Sequence, residues 1–160
     1  MAGACLPDKS GLSEFNGLDS VDLLARLIYS EAEGESLTGK RGVYWVVVNR
    51  KAKNSSEFGG NTVAGVVLKD GAFVGMTTSK ARCPNTNSGE WSDSLSVAKN
   101  GGTNPIRKCL WFNTNDLYNK RVIKKADGYY YYTFDGGRTY KKVTDREVIG
   151  NHTFFLLEGY

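Results

Sequence analysis

The segment SVDLLARLIYSE, residues 20–31, constrains the fold more than any other part of the sequence. Its leucine and isoleucine side chains recur at the three- and four-residue spacing of one helix face. Asp19, followed three residues later by Asp22, predicts the start of the helix, because acidic groups stabilise the positive end of the helix dipole. Gly34 predicts its end. The sequence therefore predicts an amphipathic helix with one face in a protein core.

Glu31 lies on the apolar face of this predicted helix. The residues three, four and seven positions before it are Ile28, Leu27 and Leu24. Burial disfavours the charged form of a carboxyl group and raises its pKa. A carboxylic acid that stays protonated near neutral pH can donate a proton to the oxygen of a glycosidic bond. The position therefore favours Glu31 as a general acid.

A structural role for Glu31 is the alternative. At the end of a helix, its carboxylate could form an ion pair with Arg26 or Lys40 instead of donating a proton. Glu33 points to the opposite side of the helix and is predicted to be a solvated charge. The helix alone does not decide between these two roles.

The remaining segments change in character along the chain. Strong β-branching favours a strand at 43–48 (VYWVVV), although its valines also fit helical spacing. The segment 62–68 is undecided, and 91–98 predicts a helix that stops at Asn100-Gly101-Gly102. Later segments predict antiparallel strands, because the tyrosine-rich 129–134 and 138–143 flank a turn at Asp135-Gly136-Gly137. The other two predicted strands are 109–112 and 152–157. The order predicts an α+β fold.

Composition is that of a single globular domain. The chain has 160 residues, 40% of them hydrophobic, and a net charge of +4 that mildly favours anionic polymers such as nucleic acid or cell-wall material. Residues 1–17 are predicted to be an irregular lead-in, and 18–160 a single catalytic domain. No segment approaches the ~20 apolar residues of a membrane span. The first residues show no signal-peptide pattern.

The cysteines and the one histidine do not predict a metal site. Cys5, Cys83 and Cys109 leave one thiol unpaired in any disulfide scheme, so a Cys83–Cys109 bridge and three free thiols both stay open. Zinc-type spacing is absent, and His152 is the single histidine. Neither a metal nor an organic cofactor is predicted.

Several motifs in order resemble the cell-wall hydrolase family typified by the spore cortex-lytic enzymes SleB and CwlJ. They are LLARLIYSEAEGE, TGKRGVYWVVVNR, NTVAGVV, CLWFN and IGNHTFF, between about residues 20 and 155. The resemblance implies a lysozyme- or transglycosylase-like helical core, with 43–50 helical. It also implies cleavage of peptidoglycan between N-acetylmuramic acid and N-acetylglucosamine, with no cofactor.

The resemblance also assigns roles to residues. The first Glu of the family's EAxGE motif, its catalytic acid, is Glu31 here. The second is Glu35, which would support the helix end or the sugar site. Asn49 of the VNR motif would serve packing or loop anchoring. For His152 of the IGxH motif, a structural hydrogen-bonding role is favoured over a catalytic one.

The chain departs from the family pattern at three places. Glu33 replaces a usual arginine, so it should raise the pKa of Glu31 slightly further, or else it indicates a different charge pattern in the substrate. Ser36 follows Glu35 where proline is common, and the tyrosine-rich hairpin at 129–143 is long. Aromatic and amide side chains suit a sugar cleft, and the candidates are Tyr29, Trp111, Asn113 and Tyr118. For Trp111, a place in the core is the alternative.

The favoured reaction is that of a lytic transglycosylase, in which one glutamic acid serves as acid and then as base. The alternatives are a hydrolytic muramidase that uses Glu31 with a second carboxylate, and an inactive glycan-binding module. Nucleic-acid binding through the basic hairpin is disfavoured because no recognition motif accompanies the charges. The expected partner is peptidoglycan. Whether the protein is secreted, acts in the spore cortex or is delivered by a phage stays open. Its oligomeric state also stays open.

Overall fold

The computed structural model describes residues 1–160, which form two compact units, Met1–Pro105 and Ile106–Tyr160. The first unit is helical, and the second is built on a five-stranded antiparallel sheet. This confirms the predicted α+β class, with helices early and antiparallel strands late. The single-domain prediction placed no boundary near residue 105. That 18–160 acts as a single catalytic domain stays a prediction.

Helix α1 is the centre of the first unit and packs against each of its other helices. Its residues from Asp22 to Tyr29 are all buried, so α1 is buried on nearly every side rather than on one stripe. Asp19 caps it as predicted, accepting the N–H of Asp22 at 2.8 Å. The helices of this unit are α1 (Ser20–Ala32), α2 (Leu37–Lys53), α3 (Val63–Val67), α4 (Ser79–Arg82) and α5 (Gly89–Asn100), with 3-10 turns at Ser13–Phe15, Ser56–Phe58 and Val74–Thr77.

Helix α2 overturns the strand that β-branching favoured at 43–48 and confirms the helix that the family resemblance implied. Ser36 starts it by accepting the N–H of Gly39 at 3.1 Å. The buried residues Val43, Val46, Val47 and Arg50 recur at helical spacing. Packing of this face against α1 outweighs the local strand preference of the valines. The undecided segment 62–68 is also helical, as α3.

The lead-in is tied to the helical unit. A disulfide joins Cys5 to Cys83, and the N–H of Leu6 donates to the carbonyl oxygen of Arg82 at 3.0 Å. Cys109 is buried and takes no part in a disulfide, and burial raises the pKa of its thiol to about 12. The Cys5–Cys83 bridge shows that both expectations, a Cys83–Cys109 bridge and three unbridged thiols, are wrong. Three cysteines at these separations could not reveal the pairing, because it depends on the tertiary approach of residues 78 positions apart.

The second unit has a mixed aromatic and aliphatic core under its sheet, built from Tyr118, Tyr132, Phe155 and Leu157. The predicted hairpin is confirmed, with Tyr131 opposite Lys142. The strand predicted at 109–112 begins two residues late, and the helix after it was not predicted. The elements are β1 (Trp111–Thr114), α6 (Asn115–Arg121), β2 (Val122–Lys124), β3 (Tyr130–Tyr132), β4 (Lys141–Ile149) and β5 (His152–Leu157), in the sheet order β1-β5-β4-β3-β2. None of the helices in either unit is long and apolar enough to span a membrane.

Candidate active site

Glu31 lies in the last turn of α1 with its side chain half-buried. Its Oε1 accepts the backbone N–H of Gly75 at 2.9 Å. Burial raises the pKa of Glu31, while the Gly75 hydrogen bond and the charge of Arg50 act in the opposite direction. Desolvation is the largest of these influences, so the carboxyl holds its proton to higher pH than a free glutamate does.

Gly75 approaches Glu31 so closely that no side chain fits there. A Cβ on Gly75 would lie 2.6 Å from Ser30 Oγ and 3.0 Å from both Cγ and Cδ of Glu31. The glycine sits in the 3-10 turn Val74–Thr77, which Thr78 closes by donating its hydroxyl to the Gly75 carbonyl oxygen at 2.6 Å. The turn thus presents a backbone donor to one oxygen of the acid.

Arg50 supplies a buried cation to this acid. It lies in the last turn of α2, and its guanidinium carbon is 5.4 Å from the ring centroid of Phe58 and 4.8 Å from that of Phe73. Burial lowers the pKa of Arg50 to about 10, and the charges of Glu31 and Glu57 oppose that shift. Sequence reasoning missed this role. The available signal was that Arg50 continues the helical spacing of buried valines.

The proposed ion pair of Glu31 with Arg26 or Lys40 is wrong. Arg26 is fully buried and binds Asp22 at 2.8 Å, and it also donates to backbone carbonyl oxygens of the lead-in and of residues 81–82. Lys40 donates to the carbonyl oxygens of Glu33 at 2.9 Å and Glu35 at 2.6 Å. Both cations therefore hold backbone segments around α1.

Glu33 was expected to raise the pKa of Glu31, and the structure pairs it with a lysine instead. Its carboxylate forms an ion pair with Lys80 at 2.7 Å, and hydrogen bonds from Lys80 and Tyr29 lower its pKa. It is not among the influences on the pKa of Glu31, so the expected further rise is wrong. The lysine neutralises the extra acid that distinguishes this chain from the family pattern.

The other predicted residues of the first unit lie on α1, on α2 and between them. Tyr29 is buried, with its ring edge-on to Trp91 at 5.8 Å, and burial together with Glu33 raises its pKa. Glu35 is half-buried between α1 and α2, and Asn49 is half-buried on α2 beside Arg50. Their roles in substrate binding or loop anchoring stay predictions.

The remaining four predicted residues belong to the second unit. Trp111 is half-buried on β1 and stacks on Phe155 at a centroid distance of 5.8 Å. Tyr118 is only 2% exposed in the core cluster of this unit, and its predicted sugar contact stays a prediction. His152 is buried at the start of β5, edge-on to Phe112 at 5.1 Å.

Asn113 has a clear hydrogen-bond partner. Its side-chain amide donates to the hydroxyl of Tyr132, which also accepts from Arg121 at 3.0 Å. This arrangement fixes the buried tyrosine. It leaves the predicted sugar contact of Asn113 as a prediction.

Comparison with known proteins decides the family. The profile of the cell wall hydrolase family matches residues 34–155. The chain belongs to the cell wall hydrolase family. The catalytic domain of the germination-specific lytic transglycosylase SleB from Bacillus anthracis has a similar fold, with a TM-score of 0.53 and 23% identity over 88% of this chain and 98% of that one.

A second solved structure agrees. The catalytic domain of Bacillus cereus SleB has a TM-score of 0.52 and 25% identity, over 88% of this chain and 94% of that one. No curated protein sequence matches the chain. The predicted relation to SleB-like cell wall hydrolases, and with it the prediction of a cell-wall-degrading enzyme, is confirmed.

The family match does not include the candidate acid. It begins at Gly34, three residues after Glu31, and it includes Glu35, Asn49 and His152. In this cell wall hydrolase, the assignment of Glu31 therefore depends on its own surroundings and on the EAxGE motif.

Proposed function

We propose that this cell wall hydrolase cleaves the β-1,4 bond between N-acetylmuramic acid and N-acetylglucosamine as a lytic transglycosylase, with Glu31 as its acid and base. The observation that carries the proposal is the environment of Glu31. Its carboxyl is half-buried with a raised pKa, one oxygen is held by the Gly75 N–H, and a buried arginine acts on its charge.

The first step uses the protonated acid. Glu31 donates its proton to the bridging oxygen as the bond from that oxygen to C1 of the muramic acid breaks. The raised pKa keeps the donor protonated nearer to neutral pH, which general-acid catalysis requires. The Gly75 N–H holds one oxygen, which leaves the other oxygen to carry the proton that is donated.

The second step uses the carboxylate that the first step leaves. It accepts the proton of the muramic C6 hydroxyl as that oxygen bonds to C1 and closes a 1,6-anhydro ring. A buried carboxylate is costly unless charge or hydrogen bonds compensate it. Arg50 and the Gly75 N–H supply that compensation, so one carboxyl can serve in both protonation states.

A hydrolytic muramidase would instead need a second carboxylate, as nucleophile or as base for water. Of the two acids close in sequence, Glu33 is engaged by Lys80, which leaves Glu35 as the candidate. The B. anthracis domain is described as that of a germination-specific lytic transglycosylase. At 23% identity it supports the fold of this chain, and the reaction rests on Glu31.

Product analysis tests the reaction. Purified sacculi are digested with wild type and with Glu31→Gln, and the muropeptides are identified by mass spectrometry. Wild type should release products one water lighter than those of a hydrolytic muramidase. Glu31→Gln should lose activity by about 10²–10⁴-fold, the usual contribution of a general acid. The amide keeps an oxygen for the Gly75 N–H, so the fold should be unchanged.

Glu33→Gln is the matched control, since it removes an acid two residues away that pairs with Lys80. It should retain nearly full activity. If wild type gives hydrated reducing ends, the transglycosylase assignment is wrong and Glu35 becomes the candidate second carboxylate. If Glu31→Gln digests sacculi as fast as wild type, Glu31 is not the acid.

A further inference from the structure

The net charge of the chain resides entirely in its second unit. Residues 106–160 contain ten Lys and Arg against six Asp and Glu, whereas residues 1–105 contain eleven of each. The difference in the second unit equals the +4 of the whole chain. An anionic ligand would therefore be attracted to the sheet unit.

Several lysines on the β2–β3–β4 hairpins place their ammonium groups over tyrosine rings. Lys142 Nζ lies 3.5 Å from the ring centroid of Tyr129, and Lys124 Nζ lies 5.8 Å from that of Tyr130. Such cation–π contacts favour this arrangement of lysines and rings, each of them only weakly at exposed sites. Tyr129 and Tyr130 are nevertheless about half exposed, at 52% and 49%. Their rings thus contact lysines and are still open to solvent.

These two tyrosines border an open pocket of about 310 Å³. The volume lies at the lower end of small-ligand sites, of order 300–1,000 Å³. Aromatic surface next to polar groups is the usual lining of a sugar site. The pocket is lined by Tyr118, Tyr129, Tyr130, Val143, Asp145 and Arg146 among others.

The charges of the pocket favour an anion. Asp145, its acidic group, is already paired with Arg107, which donates to both carboxylate oxygens at 2.8 Å. The Arg146 guanidinium has no ion pair within the protein. A guanidinium presents a planar set of donors that matches a carboxylate in two-point contact. Arg146 is therefore the group to which a ligand carboxylate would bind.

We propose that this pocket binds a carboxylate-bearing muropeptide unit of peptidoglycan, with Arg146 on a stem-peptide carboxylate and Tyr129 or Tyr130 against a sugar ring. The choice of peptidoglycan as ligand rests on the proposed function; the pocket itself does not require Glu31 to be catalytic. Nucleic acid fits less well, because Lys124 and Lys142 lie against tyrosine rings instead of forming an outward row for successive phosphates.

The test is binding of soluble disaccharide-peptide fragments, measured by titration calorimetry. Glu31→Gln serves as the background, so that nothing is cleaved. Adding Arg146→Gln should weaken binding about tenfold, the loss expected for one charge-assisted contact. Arg138→Gln is the matched control, because it removes the same charge from the same unit outside the pocket lining; it should change binding by less than about twofold.

Two further ligands make the result specific. A tetramer of N-acetylglucosamine has no carboxylate, so Arg146→Gln should not change its affinity. Tyr130→Ala should weaken its binding, because the sugar rings remain. The proposal is overturned if Arg146→Gln and Arg138→Gln weaken the fragment equally. It is also overturned if Arg146→Gln leaves the fragment unaffected while it weakens binding of duplex DNA. Failure here would leave cleavage by Glu31 intact, and loss of the Glu31 assignment would leave these binding results intact.

Discussion

The two units of the chain differ in where their charged side chains lie. In the helical unit five formally charged groups are buried, namely Glu14, Asp22, Arg26, Lys40 and Arg50. In the sheet unit the buried polar residues are Thr133, His152 and Thr153, none of which is an acid, a lysine or an arginine. The neutral unit therefore buries some of its charged groups, whereas the unit that carries +4 buries none.

The difference teaches what each set of charges can do. A buried charge is tolerated when partners compensate it, and in return it fixes those partners. Arg26 and Lys40 fix the segments at the two ends of α1, and Arg50 acts on the acid at its last turn. Exposed charges contribute little to the stability of the fold, but they remain available to bind ligands. The helical unit is thus suited to chemistry and the sheet unit to retention of an anionic polymer.

The largest expected effect is the loss of the buried arginine. Arg26→Met removes the donor to Asp22 and to the carbonyl oxygens of Ala4, Ala81 and Arg82 from a fully buried position. Breaking a buried ion pair costs about 3–5 kcal/mol, and the free energy of unfolding should fall by that amount. Urea denaturation followed by circular dichroism measures it.

Arg107→Met is the matched change in the sheet unit. Arg107 also binds two acids at 2.8 Å, Asp145 and Glu147, but its side chain is 50% exposed. Exposed pairs contribute at most about 1 kcal/mol, so the loss should be several times smaller than for Arg26→Met. If the two variants lose the same free energy of unfolding, burial does not make the charges of the helical unit more stabilising than those of the sheet unit.

The next effect concerns Gly75. A methyl group in Gly75→Ala must displace Ser30 Oγ or the Glu31 side chain, because its Cβ would lie 2.6–3.0 Å from both. A shift of this size in a catalytic group costs about 10²-fold in rate, so clearing of sacculi should fall by about that factor. Binding of muropeptides by the sheet unit should not change.

Gly89→Ala is the control for this substitution, since nothing lies within 4 Å of a Cβ at the start of α5. It should clear sacculi at the wild-type rate. If Gly75→Ala is also fully active, the close approach of the turn to Glu31 has no catalytic role. If it loses muropeptide binding instead of rate, the division between chemistry and retention is wrong.

Local features of the sequence predicted α1, its Asp19 cap, the turn at 135–137 and the placement of Glu31, because each depends on residues a few positions apart. The strand expected at 43–48 was wrong because the burial of α2 against α1 decides its conformation. Gly75 and the Cys5–Cys83 bridge were missed for a related reason. Their partners are 44 and 78 positions away, and spacing along the chain carries no sign of such contacts.

The smallest expected effect is a shift in pH dependence from Arg50→Met. Arg50 lowers the pKa of Glu31, so its removal should raise that pKa. Proton donation needs the protonated acid, and the limb on which activity falls with rising pH should therefore move to higher pH. A methionine fits between Phe58 and Phe73 as an apolar replacement. Initial rates of sacculus clearing across pH measure the shift.

Arg50→Lys is the conservative control for this variant. It keeps the positive charge, so activity should fall with rising pH at the same place as in wild type. Arg146→Gln provides the contrast from the sheet unit: it should raise KM for carboxylate-bearing substrates and leave the limb in place. A buried cation would then set the protonation of the acid, and an exposed cation would set affinity. Two results would contradict this division. Arg50→Met could leave the high-pH fall of activity where it is, or Arg146→Gln could shift it. In either case, buried charges would not set protonation of the acid while exposed charges set affinity.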